Sequence, residues 1–136
     1  MSLIDTIVIS EARKGDRADA GVRKFWQRSR EETMFLPVQA VGELRQGLEL
    51  IRRRGALSQG LLLEDWLGML IRDFGDRILA FDADSSQVWG KLRPLSPHNP
   101  VDRQIASIAL ISDLTVVTRD IANFEGTGVR FLNPFV

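Results

Sequence analysis

The chain has 136 residues, 44% of them hydrophobic, which is enough for one ordinary domain with a substantial core. It contains no cysteine and a single histidine, His98, which excludes disulfides, thiolate metal sites and any multi-histidine zinc site. Eighteen basic and eighteen acidic residues cancel, so the global excess of positive charge common in nucleic-acid binders is absent. No apolar stretch reaches the roughly 18 residues of a membrane span, and no basic segment followed by an apolar run opens the chain. A cytoplasmic protein with no membrane partner is the expectation.

In chain order, Leu3-Ile4 predicts a short strand with Asp5 at its carboxyl end. Residues 8–14 predict a helix stopped near Gly15. Residues 20–31 predict an amphipathic helix with Val22, Phe25 and Trp26 at helical spacing. Met34-Phe35-Leu36 predicts a second strand closed by Pro37. A helix over about 39–53 places Val41, Leu44, Leu48 and Ile51 on one face and stops at Gly55. Ser58 is expected to cap a long helix reaching about Phe74, with Leu62, Trp66, Met69 and Leu70 inward. Residues 78–81 predict a third strand. Asp82 or Asp84 then caps a helix to about Arg93. A loop rich in proline, containing His98, leads to a helix over about 101–112 whose apolar face carries Ile105, Ile108 and Ala109. Residues 114–117, rich in β-branched side chains, predict a fourth strand. A turn over 124–128 leads to an edge strand over 129–132. Strands alternating with helices predict one α/β domain over residues 1–136, with a mainly parallel central sheet covered on both faces.

Ligands of such sheets bind along the carboxyl ends of the strands. Four acids fall there. Asp5 and Asp120 follow apolar strands, and Glu43 and Asp102 lie early in helices. Each has an ordinary reading of its own: helix cap, dipole partner, turn former or surface residue. Together, if the strands are adjacent, they converge. Clustered carboxylates raise one another's pKa, so the cluster is costly without a cation. Hard divalent ions suit oxygen ligands, and a bound Mg²⁺ or Mn²⁺ can activate water against a phosphodiester. Asp5 and Asp102 are the expected direct ligands, Asp120 completes the set, and Glu43 acts through water or a second ion. This predicts a metal-dependent phosphoryl-transfer enzyme, a nuclease.

These residues resemble the PIN-domain ribonucleases, and within them the VapC-type toxins of bacterial toxin–antitoxin pairs. Leu3-Ile4-Asp5-Thr6-Ile7-Val8-Ile9-Ser10-Glu11 is similar to the family's opening Asp-Thr-Asn-Val-Ile-Ser-Glu. Glu43-Leu44-Arg45-Gln46-Gly47 is similar to its Glu-Leu-Arg-x-Gly helix. Asp102 to Ala109 resembles its Asp-x-x-Ile-Ala-Ala segment. Leu114 to Asp120, then Phe124 to Val129 and Asn133-Pro134-Phe135, resemble its closing block. The resemblance covers nearly the whole chain. It implies a three-layer α/β/α fold with a central sheet of four to five strands. It also implies Mg²⁺- or Mn²⁺-dependent cleavage of RNA (often transfer RNA), a homodimer, and a cognate antitoxin that wraps toxin helices and blocks the acidic pocket. Asp5, Glu43, Asp102 and Asp120 carry over as the acidic set. Thr6 and Thr118 match neighbouring hydroxyl positions, for substrate contact or local backbone bonding.

Two departures stand out. Ile7 occupies the place of the usual asparagine, which could bond a carboxylate or water as isoleucine cannot. In Arg119-Asp120-Ile121-Ala122-Asn123-Phe124 the usual amide and acid have exchanged places, leaving Asp120 as the acid and Asn123 as a helper. Ile7 keeps a second reading open: a catalytically weakened PIN-like module acting through RNA or protein contacts. A metal-dependent phosphatase or DNA nuclease on a similar sheet ranks third. Arg45 can steer phosphate at the pocket mouth or pair with Glu49. Trp26, Trp66 and Trp89 serve either core and dimer packing or contact with RNA or a partner helix. Leu61-Leu62-Leu63 is core or a partner groove. The basic clusters of residues 13–30 and 52–54 form either a local basic surface or solvated helix faces.

Overall fold

A computed structural model describes residues 1–95 and 99–136; the predicted loop around His98 falls partly outside them. Five parallel strands form one sheet in the order β3-β2-β1-β4-β5. They are β1 (Ser2–Ile4), β2 (Met34–Pro37), β3 (Ile78–Leu79), β4 (Thr115–Val117) and β5 (Phe131–Leu132). Leu3 pairs with Phe35 on one side and Val116 on the other, which puts β1 at the centre. Successive side chains of a strand point to opposite faces, and both faces here are covered. Ile4, Leu36 and Val117 join one core cluster with Val8, Val22, Leu48 and Leu67. Leu3 and Val116 join the other with Ile105, Ile108, Ala109 and Phe124.

The first cluster packs under α1 (Thr6–Ala12), α2 (Ala20–Arg28), α3 (Val38–Arg53) and α4 (Leu57–Phe74). The second packs mainly under α6 (Pro100–Ser112), with α5 (Ala83–Leu92) beside it. The three-layer α/β/α expectation is therefore met, with five strands. Asp82, of the two candidates, caps α5 by accepting from the Ser85 amide (2.9 Å).

The long fourth helix departs in part from its expected orientation: Trp66 and Leu70 face the core as expected. Leu62 and Met69 were expected inward; they are 71% and 52% exposed. The buried stripe is Gly60, Leu67, Leu70 and Phe74, with Leu63 and Trp66 partly buried against the same core. Gly60 belongs to that stripe: its missing side chain lets Arg52 of α3 pack within 3.1 Å of where a Cβ would stand. Ser58 is not the cap. Gly55 (φ +85°) reverses the chain so tightly that α4 starts at Leu57, with Ala56 in the capping place. The tryptophans are all partly buried. Trp89 donates to the Pro100 carbonyl (3.0 Å) and so ties α5 to the start of α6, a structural role.

The closing residues fold back over α2, where Asp19 caps the helix and also accepts from the Val136 amide (3.2 Å). A Cβ on Gly21 would overlap the Pro134 carbonyl oxygen and crowd the Val136 side chain. Gly21→Ala is expected to cost about 1–3 kcal/mol, the usual range for overpacking, measured by urea denaturation; a neutral result would mean that the tail simply lifts away.

Candidate active site

The site is built on the carboxyl edge of the two central strands. The Asp5 amide donates to the Val117 carbonyl (3.0 Å), so the residue leaving β1 is held against the end of β4. The chain then turns into α1 with Asp5 as its cap, one carboxylate oxygen accepting from the Thr6 amide (2.9 Å). Its other oxygen accepts from the Thr118 hydroxyl (2.7 Å). Thr118 is itself fully buried and accepts from the Asp120 amide (3.0 Å), which fixes the backbone of Asp120 on the same edge. On the opposite flank the Thr6 hydroxyl donates to Glu43 (2.7 Å). Both threonines thus connect acids.

Asp102 lies in the first turn of α6, and Asn123 Nδ2 donates to its Oδ2 (2.9 Å). The Asn123 carbonyl oxygen accepts from Asn99 Nδ2 (2.8 Å). Asn99 escaped the sequence reading. The Asn-Pro step before α6 was the available signal: asparagine tolerates the left-handed conformation that Asn99 adopts (φ +47°), and Pro100 opens the helix.

Electrostatics place all four acids in one neighbourhood. Asp5 is only 7% exposed. Burial raises its pKa above the usual carboxylate value; the bonds from Thr118 and Thr6 oppose this, and the charges of Glu43 and Asp120 add to it. Asp102 is pushed up to about 6, by burial first and then by Asp5; Asn123 opposes, and Glu43 and Asp120 add. Among the described residues, no three acids or histidines already close on a single metal position. Mutual repulsion favours that spread, with Glu43 drawn to Thr6 and Asp102 to Asn123. The chemistry of the donors fits a hard divalent cation nonetheless: they are all oxygen and carry surplus negative charge, Asp5 and Asp102 are partly desolvated, and Glu43 and Asp120 are exposed.

Arg45 takes the ion-pair role. Its guanidinium makes a two-pronged pair with Glu64 of α4 (2.9 and 2.7 Å) and reaches Glu49 (3.2 Å). Arg52 completes the clasp between α3 and α4. Arg13 shares a cleft with Glu43. With Thr6, Glu43, Leu44, Leu63 and Trp66 it lines an open cleft of about 190 Å³ that adjoins the acidic edge. Leu63 belongs to this cleft while Leu61 and Leu62 face outward, so the leucine run divides between groove and surface.

The PIN domain profile matches residues 2–128. The chain belongs to the PIN-domain family. It is 32% identical to the plasmid stability protein StbB of Pseudomonas syringae pv. tomato, over 99% of both chains. It is 30% identical to the VapC ribonuclease Y4jK of Sinorhizobium fredii, over 99% of this chain and 98% of that one. Among solved structures, FitAcB from Neisseria gonorrhoeae superposes with a TM-score of 0.82 at 29% identity, over 98% of each chain. A toxin–antitoxin complex from Klebsiella pneumoniae shares the fold, with a TM-score of 0.72 at 16% identity over 99% of this chain and 98% of that one. In this PIN domain Asp5 and Thr118 are the buried centre of the acidic edge, and Glu43, Asp102 and Asp120 ring it.

Proposed function

We propose that this PIN domain is a metal-dependent endoribonuclease of toxin type, held in check by a cognate antitoxin. One observation carries the reading. A buried carboxylate at the end of the central strand, Asp5, feels the charge of two further acids, and a fourth, Asp102, feels all three. Such an arrangement is unfavourable alone and becomes favourable around a cation. Asp5, Asp102 and Asp120 would hold Mg²⁺ or Mn²⁺, with Glu43 at its margin. The cation supplies Lewis acidity and charge neutralisation at a phosphodiester. Thr6 and Thr118 orient Glu43 and Asp5, and Asn123 orients Asp102. Arg13, at the cleft, is placed to attract the RNA backbone.

The relatives' names support the ribonuclease and antitoxin parts of this reading. The cleft beside Glu43 offers apolar room for a partner segment, bounded by Leu44, Leu63 and Trp66. A partner seated there would also screen the acids. Transfer RNA is the proposed substrate class, and a homodimer the proposed assembly. The test is incubation of the purified chain with total RNA and with transfer RNA, with Mg²⁺, Mn²⁺ or chelator, followed by sequencing of the RNA ends. Discrete cleavage sites that vanish with chelator are expected; intact RNA under all conditions would remove the proposal.

A second reading, a weakened module that works by binding, has one observation in its favour. Ile7 packs, half-buried, against the first core cluster. It therefore offers the acids no hydrogen bond from the place where the family resemblance expects an amide. Ile7→Asn is expected to raise metal-dependent cleavage by about 10- to 100-fold, the usual effect of a partner that orients metal ligands. Equal rates in initial-velocity assays would remove this second reading.

A further inference from the structure

α3 and α6 lie on opposite faces of the sheet, yet a hydrogen bond joins them across its carboxyl edge: Gln39 Nε2 donates to Gln104 Oε1 (3.1 Å). Gln39 stands one helical turn before Glu43 on α3, and Gln104 two residues after Asp102 on α6. The bond therefore joins the helix that carries one outer acid to the helix that carries another. It is a poor device for stability alone. Gln39 Oε1 is buried and accepts no hydrogen bond among the described residues, and an unmatched buried acceptor costs about 1–3 kcal/mol. An apolar pair of the same size would hold the layers together at less cost. A bond between two specific amides instead provides a fixed distance and direction.

We propose that the Gln39–Gln104 bridge positions the acidic site: by tying α3 to α6 it sets the span between Glu43 and Asp102, and so tunes affinity for a divalent cation. This rests on the metal-dependent reading above and names positioning residues for it. The two glutamines touch neither substrate nor cation; they act through the helices.

The experiment is calorimetric titration of Mn²⁺ into the full chain and its variants, with melting of the metal-free proteins alongside. Gln104→Met keeps length and removes the acceptor. Gln104→Glu keeps an acceptor for Gln39 Nε2. Gln39→Met removes the donor and serves if the first variant fails to fold. Each methionine variant is expected to bind Mn²⁺ about tenfold more weakly without a matching loss of melting temperature. Gln104→Glu should stay within about threefold of the parent, and the double methionine variant should lose no more than either single one, because the bridge is one unit. Methionine variants that bind Mn²⁺ as the parent does overturn the inference and leave the nuclease reading intact. Equal losses in Gln104→Met and Gln104→Glu also overturn it. A parent that binds Mn²⁺ with the expected variant pattern but cleaves no RNA overturns the nuclease reading and supports the bridge. A parent that binds no Mn²⁺ overturns both.

Discussion

Asp5→Asn is expected to abolish metal-dependent RNA cleavage and to make the metal-free protein more stable at neutral pH. Loss of activity should be at least about 100-fold, since even groups that merely orient metal ligands are worth 10- to 100-fold. The gain in stability follows from burial. Asp5 holds a charge in a nearly closed position beside Glu43 and Asp120, and these neighbours together with desolvation raise its pKa. Asparagine removes the charge and keeps the shape. Its oxygen still caps α1 at the Thr6 amide, and its nitrogen can donate to Thr118, whose hydroxyl already accepts from Asp120 and has a second lone pair. Cleavage rates and thermal melts at pH 7.5 on one preparation decide the matter. Cleavage at the parent's rate would remove Asp5 from the reaction, and a lower melting temperature would mean that its charge serves the fold.

The same balance explains which parts of the protein were legible in its sequence. Strands with two buried faces are written as runs such as Leu3-Ile4 and Val116-Val117, and an acid directly after such a run must emerge at the carboxyl edge. Hence Asp5 was readable at that edge. Asp120 follows Val117 only after Thr118 and Arg119 and is held there by the bond from its amide to the Thr118 hydroxyl. The α6 face at Ile105, Ile108 and Ala109 was readable from spacing alone. The α4 face was readable only in part, at Trp66 and Leu70. Leu62 and Met69 satisfy helical periodicity as well as Leu67 and Leu70 do, and the choice between them is made by the packing of α4 on α3, where Arg52 approaches Gly60 and pairs with Glu64. Long-range side-chain bonds were equally hidden. Thr118 to Asp5 spans 113 positions and Gln39 to Gln104 spans 65, distances at which no local pattern constrains a partner. Arg45 shows the limit from the other side: Glu49, four residues along its own helix, was foreseeable, but the two-pronged pair with Glu64 needed α4 folded back on α3.

Without metal, stability is expected to fall as pH rises from about 4.5 to about 7, and Mn²⁺ should reverse the trend. The sign follows from proton counts. Asp5 and Asp102 have raised pKa values in the fold, Asp102 at about 6 against an ordinary 3.8, so the folded chain binds more protons than the unfolded one through this window. Their contribution is complete below the unfolded value and is lost as pH rises through the folded one. The half-exposed Asp102 carboxyl accounts for on the order of 1 kcal/mol after solvent screening, which is about 4 °C in melting temperature for a domain of this size. Groups with lowered pKa values act elsewhere: Glu64, held at about 2 by its hydrogen bond from Arg45 and then by Arg52, loses its contribution only as pH falls below about 4.5. Metal-free stability should therefore peak near pH 4.5–5. A cation bound among the carboxylates competes with those same protons. Its stabilisation, about 2.7 kcal/mol at a hundredfold excess over its dissociation constant, should be present at pH 7.5 and largely absent at pH 5. Melting temperatures from pH 4 to 8, with Mn²⁺ or chelator, measure both trends, and His98→Gln removes the imidazole that ordinarily titrates near 6.5. In Asp102→Asn the metal-free slope should flatten and the Mn²⁺ effect should shrink. A metal-free profile that rises steadily to pH 7 would show that these carboxyls are as well solvated in the fold as in the unfolded chain, and the cation would then have no repulsion to relieve.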